Sequence, residues 1–247
     1  SSRRQVMPRA MSPTWRGSVR DCDMTSGAWS YDGEAGPQVW GSLDPAFSQC
    51  AVGRAQSPID LSVATRGERG DLALSYHLNS LTFTERGTAV GITAEPGGVM
   101  SYRGKQYDFV ELHFHAPAEH TIGDLQLDLE GHFVHQGSDR SIAVVGVMFA
   151  ASSGDHPVDA LVATIPPAGE SLKTERLVDI QRVIPLSSPV YRYRGSLTTP
   201  PCTEGVEWLV MQEPQLVGTS ALAAFADRYA PSNRPVQPLN DRTVTLG

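Results

Sequence analysis

The sequence has no long apolar run and no excess of basic side chains. Its 247 residues include 20 lysines and arginines against 27 aspartates and glutamates, so the formal net charge is −7. No stretch of about 18 consecutive apolar residues occurs, which argues against a membrane-spanning helix. Because the chain carries no strong basic field, neither nucleic acid nor an anionic membrane surface is a predicted partner.

Cysteine is scarce as well. The chain has only Cys22, Cys50 and Cys202, and no Cys-x-x-Cys pair. This pattern argues against a thioredoxin-type site or a cysteine-rich zinc site. An odd count permits at most one bridge within the chain and leaves at least one thiol over. Composition alone leaves open which two cysteines pair, or whether any do.

The N-terminal segment differs from the rest of the chain. Its first 20 residues hold five arginines and no acid, and they lack the apolar core of a secretory signal. A signal peptide is therefore predicted to be absent or already removed. We expect residues 1–25 to be a basic arm, flexible or processed, and residues 26–247 to form one catalytic domain. A functional role for the arm stays open as the alternative.

Turn-forming residues are frequent. The 23 glycines and 18 prolines make up about one residue in six, which favours a turn-rich β architecture. Apolar patterning predicts a hairpin over residues 99–107 and a strand buried on both faces over 142–150. Helices are predicted at 157–164 and 219–229. The sequence thus predicts a single, mainly β domain with a few short helices.

Two strand-like segments, residues 111–115 and 125–134, hold three of the seven histidines. Side chains two residues apart in a strand share a face. One face of the first segment therefore carries Glu111, His113 and His115. The second segment carries an acid, a histidine and a valine on one face and three leucines on the other (Glu130, His132 and Val134; Leu125, Leu127 and Leu129). If the segments are adjacent strands, the three imidazoles converge on one point.

Three neutral histidine nitrogens suit zinc and leave its fourth position open, as in catalytic zinc sites. An acid two residues before His113 and before His132 can accept the second ring N–H and fix the tautomer. The spacing His113-x-His115-x3-Glu119 also resembles the metal motif of cupins, which bind iron or manganese. In that alternative Glu119 would be a metal ligand.

Further motifs complete a pattern that resembles the α-class carbonic anhydrases over about residues 28–243. These motifs are Gln-Ser-Pro-Ile-Asp at 56–60, Glu-His-Thr at 119–121, Gly-Ser-Leu-Thr-Thr-Pro-Pro at 195–201 and Asn-Arg-Pro-Val-Gln-Pro at 233–238. A cupin has no reason to carry Leu-Thr-Thr-Pro-Pro, so the zinc interpretation is favoured. The resemblance implies a large, twisted, mostly antiparallel central sheet and a zinc enzyme.

The resemblance also implies a reaction and its residues. Zinc-bound hydroxide would convert carbon dioxide reversibly to bicarbonate and a proton, with weak ester hydrolysis as a side activity. Thr198 would accept a hydrogen bond from the hydroxide and donate one to Glu119. The implied zinc ligands are His113, His115 and His132, with Glu111 and Glu130 behind the first and third of them.

Other features implied by the resemblance concern the substrate, the cysteines and the partners. An apolar pocket would hold carbon dioxide (Val134, Val144, Leu197, Thr199 and Trp208). A bridge between Cys50 and Cys202 would indicate an extracytoplasmic location, in the periplasm, outside the cell or in an organelle lumen. Inhibitory anions and sulfonamides are implied ligands, and a homodimer is compatible with the resemblance.

Two positions depart from the family pattern. Thr88 stands where efficient members carry a proton-shuttling histidine, and threonine cannot carry a proton near pH 7. We therefore expect turnover to be limited by proton release unless His77 or Glu85 substitutes. Glu111 stands where the family usually has glutamine, and a carboxylate there should make His113 a stronger donor to the metal.

A different class of function is a carbonic-anhydrase-like binding module that has lost catalysis. Such modules typically lack one or more of the zinc histidines. All three are present here, together with Glu119 and Thr198, so the sequence favours the enzyme.

Overall fold

The computed structural model describes residues 29–247. The predicted basic arm and Cys22 lie outside this range. The strands are β1 (Thr65–Arg66), β2 (Ala73–Tyr76), β3 (Leu81–Glu85), β4 (Val90–Ala94), β5 (Gly98–Tyr102), β6 (Lys105–His115), β7 (Thr121–Ile122), β8 (Leu125–Gln126), β9 (Leu129–Gly137), β10 (Ile142–Ser152), β11 (Ser171–Lys173), β12 (Val190–Ser196), β13 (Glu204–Met211), β14 (Gln215–Gly218) and β15 (Thr245–Leu246).

The helices are short. The α-helices are α1 (Trp40–Leu43), α2 (Gln49–Val52), α3 (Asp159–Ala163) and α4 (Thr219–Tyr229), and single 3-10 turns occupy Gly33–Ala35, Pro45–Phe47, Leu61–Val63 and Ile180–Val183. Within residues 29–247 no helix is long and apolar enough to cross a bilayer. The mainly β fold with few short helices is therefore as predicted.

One large sheet dominates the described part of the chain. Ten of its strands follow the order β1-β15-β12-β13-β10-β9-β6-β4-β3-β11, while β14 joins β10 and the pair β2-β5 joins β6. Most neighbours are antiparallel, but β1 with β15, β10 with β13 and β10 with β14 are parallel. The long strands β6, β9 and β10 lie side by side in the middle of the sheet. Each of them is hydrogen-bonded to a neighbouring strand on both of its edges, so a site on their faces has a rigid base.

Strand alternation places a separate apolar cluster on each face of the sheet. The larger cluster includes Leu112 and Phe114 of β6 and is covered by α4 through Phe225 and Tyr229. The smaller cluster is on the other face and contains Val144, Val210 and Trp208, among others. Because Leu112 and Phe114 point into the larger cluster, the intervening His113 points toward the face of the smaller one.

Several predicted elements are confirmed. β5 and β6 form the hairpin around the turn at residues 103–104, β10 covers the predicted buried strand, and α4 has the predicted bounds. Helix α3 is shorter than predicted. It spans Asp159–Ala163 with Val158 at its N-cap, so Pro157 lies ahead of the helix.

The prediction of one strand over residues 125–134 is wrong. The chain turns at Leu127 and Asp128, so that β8 pairs with β7 and only β9 joins the main sheet. The three leucines do not share a face: Leu125 is 55% exposed, Leu127 packs on the smaller cluster and Leu129 lies in the larger one. The Asp128 carboxylate accepts a hydrogen bond from Ala151 N–H at 2.7 Å, which stabilises the turn beside β10.

A disulfide joins Cys50 to Cys202, as the resemblance implies. It links the end of the helical N-terminal region at α2 to the loop between β12 and β13, across a sequence separation of 152 residues. Cys202 is fully buried. The bridge therefore anchors the loop that contains Thr198 and Thr199.

Candidate metal centre

The pairing of β6 with β9 brings the predicted histidines together. In this antiparallel register His113 is opposite His132, and His115 is opposite Glu130. Ring centroids are 5.1 Å apart for His113 and His115, 5.4 Å for His113 and His132, and 4.6 Å for His115 and His132. Each ring offers one nitrogen, and these three nitrogens lie within 4.8 Å of one another. Such a cluster could hold one metal ion.

Each histidine uses its other ring nitrogen in a hydrogen bond. Nδ1 of His113 is 3.1 Å from Glu111 Oε1, Nδ1 of His115 is 2.6 Å from the Ser232 carbonyl oxygen, and Nε2 of His132 is 2.9 Å from Glu130 Oε1. Carbonyl and carboxylate oxygens only accept, so these ring nitrogens must donate. The unprotonated nitrogens that remain are Nε2 of His113, Nε2 of His115 and Nδ1 of His132.

The donor set fits a zinc ion. Nε2 of His115 is buried and has no hydrogen-bond partner within residues 29–247, although a buried polar atom is normally paired. Three neutral imidazole nitrogens are a common ligand set for catalytic zinc. His115 and His132 are buried, whereas His113 is only half-buried. The cluster can therefore be reached from the side of His113.

Burial also keeps His115 and His132 neutral. It lowers the pKa of His115 well below its usual range, and the neighbouring His132 and His113 lower it further. Burial likewise lowers the pKa of His132 to about 4, against the opposing effect of Glu130. Neutral imidazole is the form that binds metal, so little proton competition is expected at neutral pH.

Glu130 is held firmly behind His132. Its Oε2 accepts hydrogen bonds from the backbone N–H groups of Glu119 and His120, both at 2.9 Å, and its Oε1 is 2.7 Å from His120 Nδ1. Although burial raises the pKa of Glu130, its interactions with His120 and His132 outweigh the effect of burial and lower the pKa well below the usual range. His120 also lies 2.7 Å from the Tyr193 hydroxyl.

Glu119 lies next to the unprotonated nitrogens. Its Oε2 is 3.7 Å from His115 Nε2 and 3.9 Å from His132 Nδ1, while its Oε1 accepts a hydrogen bond from the Arg234 N–H at 2.7 Å. Burial raises the pKa of Glu119 well above its usual range, and hydrogen bonding by Arg234 and Thr198 opposes this rise. A divalent cation bound by the histidines would favour the ionised form of Glu119.

The predicted apolar pocket residues come together on three neighbouring strands. Val134 of β9, Val144 of β10 and Trp208 of β13 occupy one register across the sheet. The Trp208 ring contacts His132 edge-on, with centroids 4.8 Å apart. Leu197 and Thr199 follow β12 and are half-buried, and Leu197 packs on the same apolar cluster.

The three positions considered for proton transfer, in or near the turn between β3 and β4, differ in burial. Thr88 is half-buried in this turn. Glu85 is buried on the side of the larger cluster, where its carboxylate accepts hydrogen bonds from Gly87 N, Gly169 N and the Tyr229 hydroxyl. Glu85 thus faces away from the histidines, which disfavours it as a substitute proton carrier. His77 is exposed just after β2.

Sequence reasoning missed three groups at this site. The Ser232 carbonyl and the Arg234 N–H are backbone atoms more than 110 positions from their partners, so no side-chain pattern could have revealed them. The third is Arg86, whose Nη1 is 2.8 Å from Glu111 Oε2. The sequence shows that residue 86 is an arginine four positions before β4, but it does not show that Glu111 is its partner. Burial raises the pKa of Glu111, yet His113 and Arg86 outweigh it and lower the pKa to about 2.

Comparison with known proteins gives one consistent result. A family model described as eukaryotic-type carbonic anhydrase matches residues 35–247. The chain is 34% identical over 218 residues to the carbonic anhydrase of Pectobacterium carotovorum, covering 87% of this chain and 89% of that relative.

Solved structures agree with this match. A hyperthermostable carbonic anhydrase from an active hydrothermal vent chimney superposes with a TM-score of 0.85 at 36% identity, covering 88% of this chain and 99% of that one. The α-carbonic anhydrase of Thermovibrio ammonificans, solved with the inhibitor sulfanilamide, superposes with a TM-score of 0.84 at 33% identity, covering 89% of this chain and 99% of that one.

Proposed function

The chain belongs to the eukaryotic-type, or α-class, carbonic anhydrase family of enzymes, and we propose that it hydrates carbon dioxide reversibly at the cluster of His113, His115 and His132. The observation that carries this proposal is the convergence of three unprotonated nitrogens, one of them buried and unpaired, beside Glu119. Family membership also removes the cupin alternative, in which Glu119 would be a ligand.

The three histidines would hold zinc. When bound, zinc supplies hydroxide at neutral pH by lowering the pKa of water to about 7, a value that comes from carbonic anhydrase itself. The ring hydrogen bonds to Glu111, to the Ser232 carbonyl and to Glu130 support this role, because they fix each imidazole with its free nitrogen toward the ion.

Thr198 and Glu119 would orient the nucleophile. An ionised Glu119 can only accept, so the Thr198 hydroxyl donates to it. The Thr198 oxygen can then only accept from a group on the histidine side. A nucleophile there turns its proton toward Thr198 and its free lone pair toward the substrate.

Carbon dioxide is apolar, so the wall formed by Val134, Val144 and Trp208, with Leu197 and Thr199 at its edge, would hold it.

The proposal is tested by removing and restoring the metal. Purified protein is expected to contain one zinc per chain and to accelerate carbon dioxide hydration in a stopped-flow assay. Dialysis against a strong chelator should reduce the rate to the uncatalysed value, and one equivalent of zinc should restore it. Zinc-loaded, folded protein without hydration activity would instead identify the chain as a member that has lost catalysis.

Lesser activities follow from the same site. The nucleophile that attacks carbon dioxide would also hydrolyse activated esters weakly. Aromatic sulfonamides and small anions would bind at the same site; the Thermovibrio protein was solved in complex with the inhibitor sulfanilamide. The Cys50–Cys202 bridge supports an extracytoplasmic location, where disulfides persist. A homodimer and a domain over residues 26–247 stay predictions.

Replacing Thr88 with histidine is expected to raise turnover in dilute buffer by at least about tenfold, because a positioned proton carrier typically contributes about 10²–10⁴-fold. The half-buried Thr88 is in the turn whose Arg86 contacts Glu111, so a side chain there lies near the site. Stopped-flow rates at low and high buffer concentration measure the effect, which should disappear as buffer carries the protons.

The matched control is Thr88→Gln, which is similar in size to histidine but cannot carry a proton near pH 7. It should leave the rate in dilute buffer unchanged. Equal rates for Thr88→His and Thr88→Gln, with both proteins folded and loaded with zinc, would show that proton release does not limit this enzyme.

A further inference from the structure

An arginine, a glutamate and a histidine form a line that ends at the candidate metal centre. Arg86 Nη1 is 2.8 Å from Glu111 Oε2, and the other carboxylate oxygen, Oε1, is 3.1 Å from His113 Nδ1. Each oxygen of Glu111 therefore has its own partner. Arg86 belongs to the β3–β4 turn and Glu111 to β6, so the line connects a hairpin turn to a ligand strand.

The fold makes room for the arginine. A Cβ atom at Gly91 would lie 2.6 Å from Cζ, 2.7 Å from Nη2 and 2.9 Å from Nη1 of Arg86. The guanidinium thus lies directly on the backbone of β4, which pairs with β6 through Ile92 and Leu112. Any side chain larger than hydrogen at residue 91 would displace Arg86 from this position.

The three ligand histidines are not equally supported. His115 is buried and donates to a backbone carbonyl, and His132 donates to a carboxylate that three further N–H groups hold in place. His113 is half-buried, and its partner Glu111 has a side chain that is 14% exposed. A carboxylate free at one oxygen could rotate toward solvent and release the His113 ring. Arg86 occupies that second oxygen.

We propose that Arg86 is a positioning residue of the metal centre: it holds Glu111 so that His113 keeps Nδ1 protonated and Nε2 directed at the metal. The proposal rests on the proposed function only in taking His113 as a metal ligand. The role proposed for Arg86 differs from that of a simple surface ion pair, which contributes little to stability on its own. Removal of an outer partner of a metal ligand typically reduces metal affinity about 10–100-fold.

The main test measures zinc release. Zinc-loaded wild type, Arg86→Ala, Arg86→Lys and Gly91→Ala are mixed with excess chelator at neutral pH, and the rate of zinc transfer is followed. Arg86→Ala is expected to release zinc at least about tenfold faster. Arg86→Lys should recover most of the difference because it restores the positive donor. Gly91→Ala, which alters neither member of the ion pair, should also release zinc faster than wild type.

The matched control is Arg228→Ala. Arg228 is 49% exposed and lies 3.8 Å from the buried carboxylate of Glu85, on the other side of the sheet, whereas Arg86 is 38% exposed. Both substitutions remove an arginine from a buried or nearly buried glutamate, but only one of these glutamates contacts a ligand histidine. Arg228→Ala is expected to release zinc at the wild-type rate.

A second measurement does not require metal or activity. Nitrogen-15 chemical shifts of the imidazoles in the metal-free protein report which ring nitrogen carries the proton. His113 should be the Nδ1-protonated tautomer in wild type and in Arg86→Lys, and a mixture of tautomers in Arg86→Ala. In a Glu111→Ala background, Arg86→Ala should change neither the tautomer nor the rate of zinc release.

The outcomes separate this proposal from the proposed function. Zinc release from Arg86→Ala that is unchanged or slower, or equal to that of Arg228→Ala, would overturn the positioning role. An additional effect of Arg86→Ala in the Glu111→Ala background would also overturn it. If instead the zinc and tautomer results are as expected but carbon dioxide is not hydrated, the proposed function fails while the role of Arg86 stands.

Discussion

Replacing His132 with asparagine is expected to abolish zinc retention and carbon dioxide hydration together. The substitution removes one of the three proposed metal ligands from a buried site and leaves two. Because the loss of an outer partner alone reduces metal affinity about 10–100-fold, the loss of a ligand should reduce it by more than about 100-fold. Zinc content after gel filtration and the stopped-flow rate measure the two effects.

The control for this prediction is a second buried histidine on the same strand. His135 is fully buried in β9, but it is directed at Tyr76, with His135 Nε2 2.7 Å from the Tyr76 hydroxyl, in the larger apolar cluster. His135→Asn should lower the free energy of unfolding but retain one zinc per chain. If His132→Asn kept its zinc and its activity, the three-histidine centre would be wrong.

Replacing Cys50 and Cys202 together with serine is expected to lower the free energy of unfolding by about 5 kcal/mol. The estimate follows from the entropy of closing so long a loop in the unfolded chain, and engineered cases often show less. Native domains are stable by only about 5–15 kcal/mol, so the loss would equal about a third to all of that stability. Urea denaturation of the oxidised protein and the double variant measures the difference.

Reducing agent provides the internal control. It should lower the urea midpoint of the wild type toward that of the double variant and leave the double variant unchanged. The Thr198 loop has its own backbone hydrogen bonds, from Leu197 N to Thr203 O at 3.0 Å and from Cys202 N to Thr199 O at 2.9 Å. The folded fraction of the variant should therefore keep its turnover. Identical midpoints with and without the bridge would contradict the prediction.

Much of the metal centre could be predicted because strands have a period of two. The spacing of Glu111, His113 and His115 on one strand, and of Glu130 and His132 on another, places each set on a single face of its strand, so the two sets can meet once the strands are neighbours. The pairing His113 with His132 realises that arrangement. The same logic failed at Leu125 and Leu127, because a turn at Asp128 resets the alternation and no local residue such as glycine or proline signals it.

The effect expected of Glu111 also changes once its partner is known. From the sequence, a carboxylate that accepts from His113 should make this imidazole a stronger donor to the metal than the usual glutamine does. The ion pair with Arg86 offsets part of the carboxylate charge, so Glu111 resembles a neutral acceptor more than its residue type suggests. Long-range pairs of this kind depend on how hairpins approach each other, and a single sequence does not encode them in any short pattern.

The order in which the chain is synthesised bears on how the metal is acquired. The three histidines lie within 20 residues of one another, but the Ser232 carbonyl that orients His115 and the Arg234 N–H that holds Glu119 are made about 100 residues later. A cation bound by the nascent polypeptide would be bound by imidazoles whose rings can still rotate and whose tautomers can still interconvert. The arrangement in which His115 and Glu119 are both held in place is therefore complete only after residue 234 has been synthesised and the final segment has docked beside β6.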